Sequence, residues 1–520
     1  MTPSAERSVR LLLTAALAAA AMFPAGYLLA AALPILTQGG WLAHFASTTL
    51  PDQAWNSGVV ALQASAVAFA LGAVPAVLVS RFEFTGRRLV TVFALLPLLF
   101  APSVTASIWM IRSSADFFSS RAALALHLGV TSAPYVFVVF RVAASRMPHA
   151  FAELAAVLGC DFRQRLLRVH LPGYAVPAAA ALMIVFAQSI GDYATAERLG
   201  IQTLSVGMLN LWLSSQSSQV AAIVSTVMIV PTVLLVLAAA WVSTSLMSQN
   251  PVPPAAAAAS RRRLAGLPAA AILAWSSLGA IAFAWTEWYT VQWAIARWAR
   301  TRFAAIPGDT ADTAITGLVV VAVVAAFCLL TAVILRTGGR SAAAERMPWL
   351  FLANYFLPSL VLALAFVMMS RDGSVAAQWL GSLRDTRLLI VVPDVLRFMP
   401  FALLPVLDAL RRTPPAMIEA ARGFGRGALA ARAVAFRGHL LPALALGCGL
   451  VFMECVKELD LSLTLQPFGY STLALKIYAF SRHQNMDRAA VWVLISQALM
   501  LAPLLLLWWR MDRLDVGRRN

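Results

Sequence analysis

Lysine is nearly missing from this chain. Only Lys457 and Lys476 occur, preceded by Val456 and Leu475, whereas a phosphate-binding loop needs a Gly-Lys-Ser/Thr run whose lysine reaches the phosphates. Nucleotide binding by that route is excluded. Charge of either sign is scarce too, at 12% of 520 residues against 60% hydrophobic, with a mean hydropathy of +0.78. So much apolar surface exceeds what a soluble core hides and marks an integral membrane protein. Cysteine is limited to Cys160, Cys328, Cys448 and Cys455, none spaced with a histidine as metal ligands are, which argues against a disulfide framework and against a zinc site. The histidines are scattered, and neither His-Glu-x-x-His nor Gly-x-Ser-x-Gly occurs. No catalytic residue, resident metal or cofactor is therefore expected.

What the chain does have is arginine. A net charge of +17 would suggest nucleic acid in a soluble protein, but here the arginines fall between apolar runs and in the tails, as cytoplasmic loops are marked. No nucleic-acid partner is expected, and the surrounding partner is membrane lipid. A ruler of about 20 apolar residues per spanning helix finds six spans in each half. They lie near residues 9–34, 57–80, 89–111, 122–144, 174–192 and 219–246, then 266–288, 312–335, 347–370, 388–410, 440–457 and 489–509. The first run, Val9 to Ile35 behind Arg7 and Arg10, is too long for a signal-peptide core and reads as a retained span, with a cleaved signal as the alternative.

Basic residues stay on the inner side of the membrane. Arg81, Arg87 and Arg88 follow span two, Arg163, Arg165 and Arg168 follow span four, and Arg261, Arg262 and Arg263 follow span six. The second half continues the series, whereas Thr37 to Asn56 holds no lysine or arginine. The loop 289–311, with Arg297, Arg300 and Arg302 on the expected outer side, runs against this pattern. The sum is an all-α protein of twelve spans with both termini cytoplasmic. The boundary between halves falls at 248–264, where PVPPAAAAAS and three arginines form a spacer. The units are then 1–247, with a core of about 55–246, and 265–520, with a core of about 312–510.

The two halves repeat one another. Shifting by 266 residues brings Pro134 onto Pro400, Glu153 onto Glu419, Ala155 onto Ala421, Gly159 onto Gly425 and Val185 onto Val451 without a gap. Such self-similarity predicts two copies of one unit. The repeated stretches read ELAAVLG from Glu153 and EAARGFG from Glu419. Charges around the first, Asp161, Arg163, Arg165 and Arg168, would each cost about 2.5 kcal/mol or more at a bilayer centre, so the segment lies in water or against protein. Apolar residues on one side and a glycine at the end predict a short amphipathic helix. On the residues alone, a helix resting on lipid headgroups and a surface gripped by a partner are equally good readings.

Glu-x-Ala-x-x-x-Gly, repeated in both halves, resembles the EAA loop of permease subunits of type I ABC importers. The first copy is followed by Leu171-Pro172, as in that family, while the second has Arg437-Gly438 at the aligned place. The resemblance implies a fused permease of two tandem six-helix MetI-like repeats, in which Glu153, Ala155, Gly159, Glu419, Ala421 and Gly425 belong to the loops that couple to an ATPase. It further implies two copies of a cytoplasmic ATPase that does the ATP hydrolysis, an extracytoplasmic solute-binding protein, and a bacterial inner-membrane location. The run Lys457 to Tyr478, KELDLSLTLQPFGYSTLALKIY, resembles fused permeases of the ferric-iron uptake group, although Leu459-Asp460-Leu461 departs from it. Iron is the first cargo this implies, and thiamine, polyamine and phosphonate permeases share the architecture. A twelve-helix secondary transporter is the rival from another class.

Ionisable residues in spans are functional candidates by default. Asp192 and Glu458 stand at equivalent ends of the fifth spans, where they either gate the path or cap helices and pair with Lys457 and nearby arginines. Asp394 and Arg397 in span ten are expected to form an internal ion pair, with Asp394 lining the path as the alternative. Pro102 and Pro358, each followed by serine in the third spans, are expected to break those helices beside the path. Glu454 faces Gln188 under the 266-residue shift and has no expected role.

Overall fold

The computed structural model describes residues 23–34, 37, 47–112, 119–146, 154–155, 157–215, 223, 225–229, 232–235, 237–238, 262–301, 303–337, 354–370, 378, 381–383, 385–412, 415–425, 427, 430–431, 434 and 437–516. Helix α1 (Phe23–Pro34) precedes α2 (Leu50–Arg81). Then come α3 (Arg87–Leu95), a 3-10 turn at Leu96–Leu99, α4 (Pro102–Arg112), α5 (Arg121–Arg146) and α6 (Leu171–Gly191). Two short helices follow, α7 (Ala194–Arg198) and α8 (Leu204–Ser215). The second half contains α9 (Leu267–Arg297), α10 (Ile306–Thr337), α11 (Ser359–Met369), α12 (Leu388–Arg412), α13 (Pro415–Gly423) and α14 (Leu440–Lys457). It ends with α15 (Asp460–Leu465), α16 (Leu473–Arg482) and α17 (Met486–Val516).

Among the described residues eight helices are long and apolar enough to cross a bilayer, against the twelve expected. They are α2, α5, α6, α9, α10, α12, α14 and α17. The third predicted span is a bent pair instead, α3 with its 3-10 turn meeting α4 at 88°. The cause is local: Phe100 is extended at φ −112 and ψ 141, and Pro102 lacks an N–H and keeps the residue before it out of the helical region. Much of spans one and six falls outside the described residues, whereas most of span nine is described and contains the 11-residue α11, shorter than a spanning helix. The expected outer loop at 193–218 contains α7 and α8, and the basic loop at 289–311 is mostly helix, with Arg297 neutralised by Asp487.

Small residues decide the closest helix crossings. Helix α2 buries Ala61, Ala64, Ala68, Gly72 and Ala76 along one side and packs on α5. A β-carbon on Gly72 would meet Ala133 O at 2.4 Å, and one on Gly129 would meet Val67 Cβ at 2.6 Å. In hydrocarbon, where apolar side chains gain nothing by leaving lipid, such backbone approach supplies the dispersion contacts that hold helices together. At the centre, α11 is apolar all round, and Leu360 to Ala365 are completely buried, as a helix with no polar face must be.

The halves share their cores. The cluster around α11 includes Leu204 and Met208 of the first half and Leu459 and Leu461 of the second. The spacer's end is not loose: Arg262–Arg263 (β2) pairs in parallel with Phe82–Glu83 (β1) directly after α2, and Leu264 N donates to Glu83 O at 2.9 Å.

Candidate functional site

The loop between α5 and α6 is built around a glycine. Leu158 N donates to Leu154 O and Cys160 N to Ala155 O, both at 2.9 Å, which closes one helical turn, and Gly159 reverses the chain at φ +81. Asp161 then starts the next helix by accepting from Gln164 N at 2.6 Å, while Gln164 Oε1 accepts from Asp161 N at 3.2 Å. That reciprocal pair is a capping box. Ala155 is the buried foot of the turn, whereas Val157 is 83% and Leu158 73% exposed. Glu153 lies outside the described residues.

The loop after α12 has the same plan. Within and beyond α13, Phe424 N donates to Ala420 O at 3.2 Å and Gly425 N to Arg422 O at 2.9 Å, and Gly425 has φ +75. Ala421 is again the buried foot, Glu419 points outward, and Phe424 is 85% exposed. Among the described residues a β-carbon on Gly159 or Gly425 would meet nothing within 4 Å, and both have positive φ, so these glycines serve backbone conformation. Each loop thus presents an exposed large apolar side chain beside its glycine, at positions 158 and 424, which are related by the 266-residue shift.

A second group of polar residues lies where the halves meet. Tyr135 of α5 donates to Glu454 of α14, and Lys457 Nζ reaches Glu454 Oε1 at 2.8 Å and Tyr135 Oη at 2.9 Å. Glu454, which the sequence left without a role, is half of a sheltered ion pair within α14 that Tyr135 joins from the other half. Its equivalent Gln188 accepts from Ser132 Oγ at 3.3 Å.

Asp192 and Glu458 act as caps. Asp192 accepts from Thr195 N at 2.9 Å and from Ala196 N at 3.3 Å at the start of α7, and Glu458 accepts from Leu461 N at 3.0 Å at the start of α15. Arg397 corrects the expected pairing. Its ion pair among the described residues is with Glu458, at 3.9 Å, and its Nη1 donates to Leu357 O at 2.7 Å, because the extended residues before α11 aim that carbonyl at α12. Asp394 is buried, and among the described residues its Oδ1 has no hydrogen-bond partner. Pro102 starts α4 and Pro358 caps α11; a β-carbon on Gly191, at the end of α6, would lie 3.3 Å from Pro358.

Beyond these caps the halves are latched. Tyr478 of α16 donates to Glu197 Oε2 of α7 at 2.8 Å and lies 3.2 Å from Tyr193 Oη, while Arg482 Nε is 3.5 Å from Glu197 Oε1. Burial raises the Tyr193 phenol to about 12 and pushes Tyr478 up as well, so both stay protonated donors at neutral pH. Ser107 and Ser481 hydroxyls meet at 2.6 Å. The space beside this latch, lined by Ser103, Lys457, Tyr478 and Ser481, is about 30 Å³. It has room for one water and not for a solute. The sequence signalled none of these cross-half contacts, since only Tyr478 fell inside a segment singled out. Among the described residues no group of His, Cys, Asp and Glu side chains could hold a metal ion.

No curated protein and no solved structure matches the chain. Residues 68–248, which run from α2 past α8 and include the first glycine loop, match the family described as binding-protein-dependent transport system inner membrane component, a match that supports a multi-pass permease of a type I ABC importer.

Proposed function

We propose that the chain is the complete permease core of a type I ABC importer, with two six-helix MetI-like halves, twelve spans and both termini in the cytoplasm. The observation that carries the reading is the pair of glycine-reversed loops, each with a buried alanine foot and an exposed apolar residue, at Leu158 and Phe424. Exposed large apolar side chains at these turns favour a protein partner that covers them over free water. Equal lengths of 32 residues for α2 and α10, and an acid capping the short helix after α6 and after α14, support two copies of one unit.

In this reading a separate cytoplasmic ATPase, one copy under each loop, closes on ATP and draws Glu153, Ala155, Gly159 and Glu419, Ala421, Gly425 together. The two halves rock about the seam, the latch between α7 and α16 opens outward, and a solute from the binding protein enters. Relaxation exposes the path to the inside. Asp192, Glu458, Pro102, Pro358 and Asp394 flank that path in this reading, the caps and breaks fixing its walls. Ferric iron is the cargo we place first, on the likeness of Lys457 to Tyr478 to the iron-uptake permeases, ahead of thiamine, polyamines and phosphonates. Changing Leu158 and Phe424 to glutamate should leave membrane insertion intact and abolish co-purification with the ATPase. Retention of the ATPase by the double variant would count against the loops as docking points.

A further inference from the structure

A cavity of about 400 Å³ lies between α2, α5, α9 and the bend leading into α4. Its walls come from the middle of membrane-crossing helices, Val67 and Leu71 on α2 and Trp275, Leu278 and Phe283 on α9. Trp275 and Leu278 are 42% and 48% exposed, and Ile281 beside them is 60% exposed. The cavity is therefore continuous with a surface that faces hydrocarbon. Its extent along α9, Trp275 to Thr286, is about 16 Å at 1.5 Å per residue, close to the depth of one leaflet, about 15 Å.

One end of the cavity is polar. Trp109 Nε1 donates to Thr286 Oγ1 at 2.9 Å, and both residues line the wall. One turn beyond Trp109, the Arg112 guanidinium lies 4.7 Å from the ring of Tyr289, one turn beyond Thr286, and 5.1 Å from that of Trp293, two turns beyond it. Among the described residues Arg112 has no carboxylate partner. Its place, just beyond a leaflet-deep apolar slot and between two aromatic residues of the kind that mark the membrane interface, suits a phosphate at headgroup level.

We propose that this cavity is a phospholipid site: one acyl chain lies between α2, α5 and α9 behind the bend, and the phosphate pairs with Arg112. The lipid belongs to the leaflet on the Arg112 side, the outer one in the orientation proposed above. The site is independent of the glycine loops, so its failure leaves the coupling proposal untouched. It also gives α9 a packing partner where the protein itself leaves a gap.

The test is native mass spectrometry of the full-length chain in mild detergent, titrated with dioleoyl phosphatidylglycerol. Wild type should keep one lipid at detergent concentrations that strip the rest. Among the described residues a β-carbon at Gly279 meets only Pro97 Cγ, at 3.6 Å, so Gly279→Leu is accommodated at the backbone and sends its side chain into the cavity. Gly279→Leu and Arg112→Gln should each weaken retention at least tenfold, and Arg112→Lys should restore most of it. Arg112 is on the surface, so its variants fold whatever becomes of Gly279→Leu. Equal retention in wild type and Arg112→Gln identifies annular lipid and overturns the site, as does retention by a folded Gly279→Leu chain or the absence of a retained lipid in wild type.

Discussion

Single residues set the two loops. Gly159 and Gly425 occupy the left-handed region with no described atom within 4 Å of a β-carbon built there, so a β-branched side chain is opposed by backbone conformation, at roughly 1–2 kcal/mol. Gly159→Val and Gly425→Val should lower solute taken up per ATP hydrolysed in reconstituted vesicles several-fold. Asparagine, which tolerates this conformation, should come closer to wild type at either position. Equal loss with valine and asparagine would mean that the loops need glycine's size and not its backbone freedom. Both glycines were legible in the sequence because a reversal after a short apolar-sided helix is a local signal. Arg397 was not, because its partners, Glu458 and the Leu357 carbonyl, lie on other elements, whereas the expectation looked along its own helix to Asp394.

At the level of elements, the contact between α5 and α14 depends on Glu454, Lys457 and Tyr135. Removing one member of a sheltered ion pair leaves the other charge uncompensated, at about 3–5 kcal/mol. Glu454→Ala should therefore unfold at lower temperature in detergent than wild type. Glu454→Leu combined with Lys457→Met should recover much of that loss, and a single variant as stable as wild type would remove the pair from the account. Helices α2, α5, α6, α9, α10, α12, α14 and α17 could be read from the sequence because each is a long apolar run, the one feature that hydrocarbon enforces on its own. The 88° bend between α3 and α4 was foreshadowed by Pro102. Helices α7 and α8 were hidden, because short helices folded against other helices carry neither the length nor the period that a spanning segment shows.

For the whole molecule, the seam is shut. Tyr193 and Tyr478 meet across it with ring centroids 6.4 Å apart and ring planes tilted by 58°, and the neighbouring space accepts one water. If transport opens this seam, joining the halves there should stop it. Tyr193→Cys with Tyr478→Cys should lose uptake when a short bifunctional thiol reagent bridges the pair and regain it when a reducible bridge is cleaved. Continued uptake by the bridged protein would move the path elsewhere. The pairing of β1 with β2 bears on the same movement. Because Arg262 and Arg263 are stitched to the foot of α2 before α9 begins, the second half sets out from a point fastened to the first. Any pivot between them has to lie away from that knot.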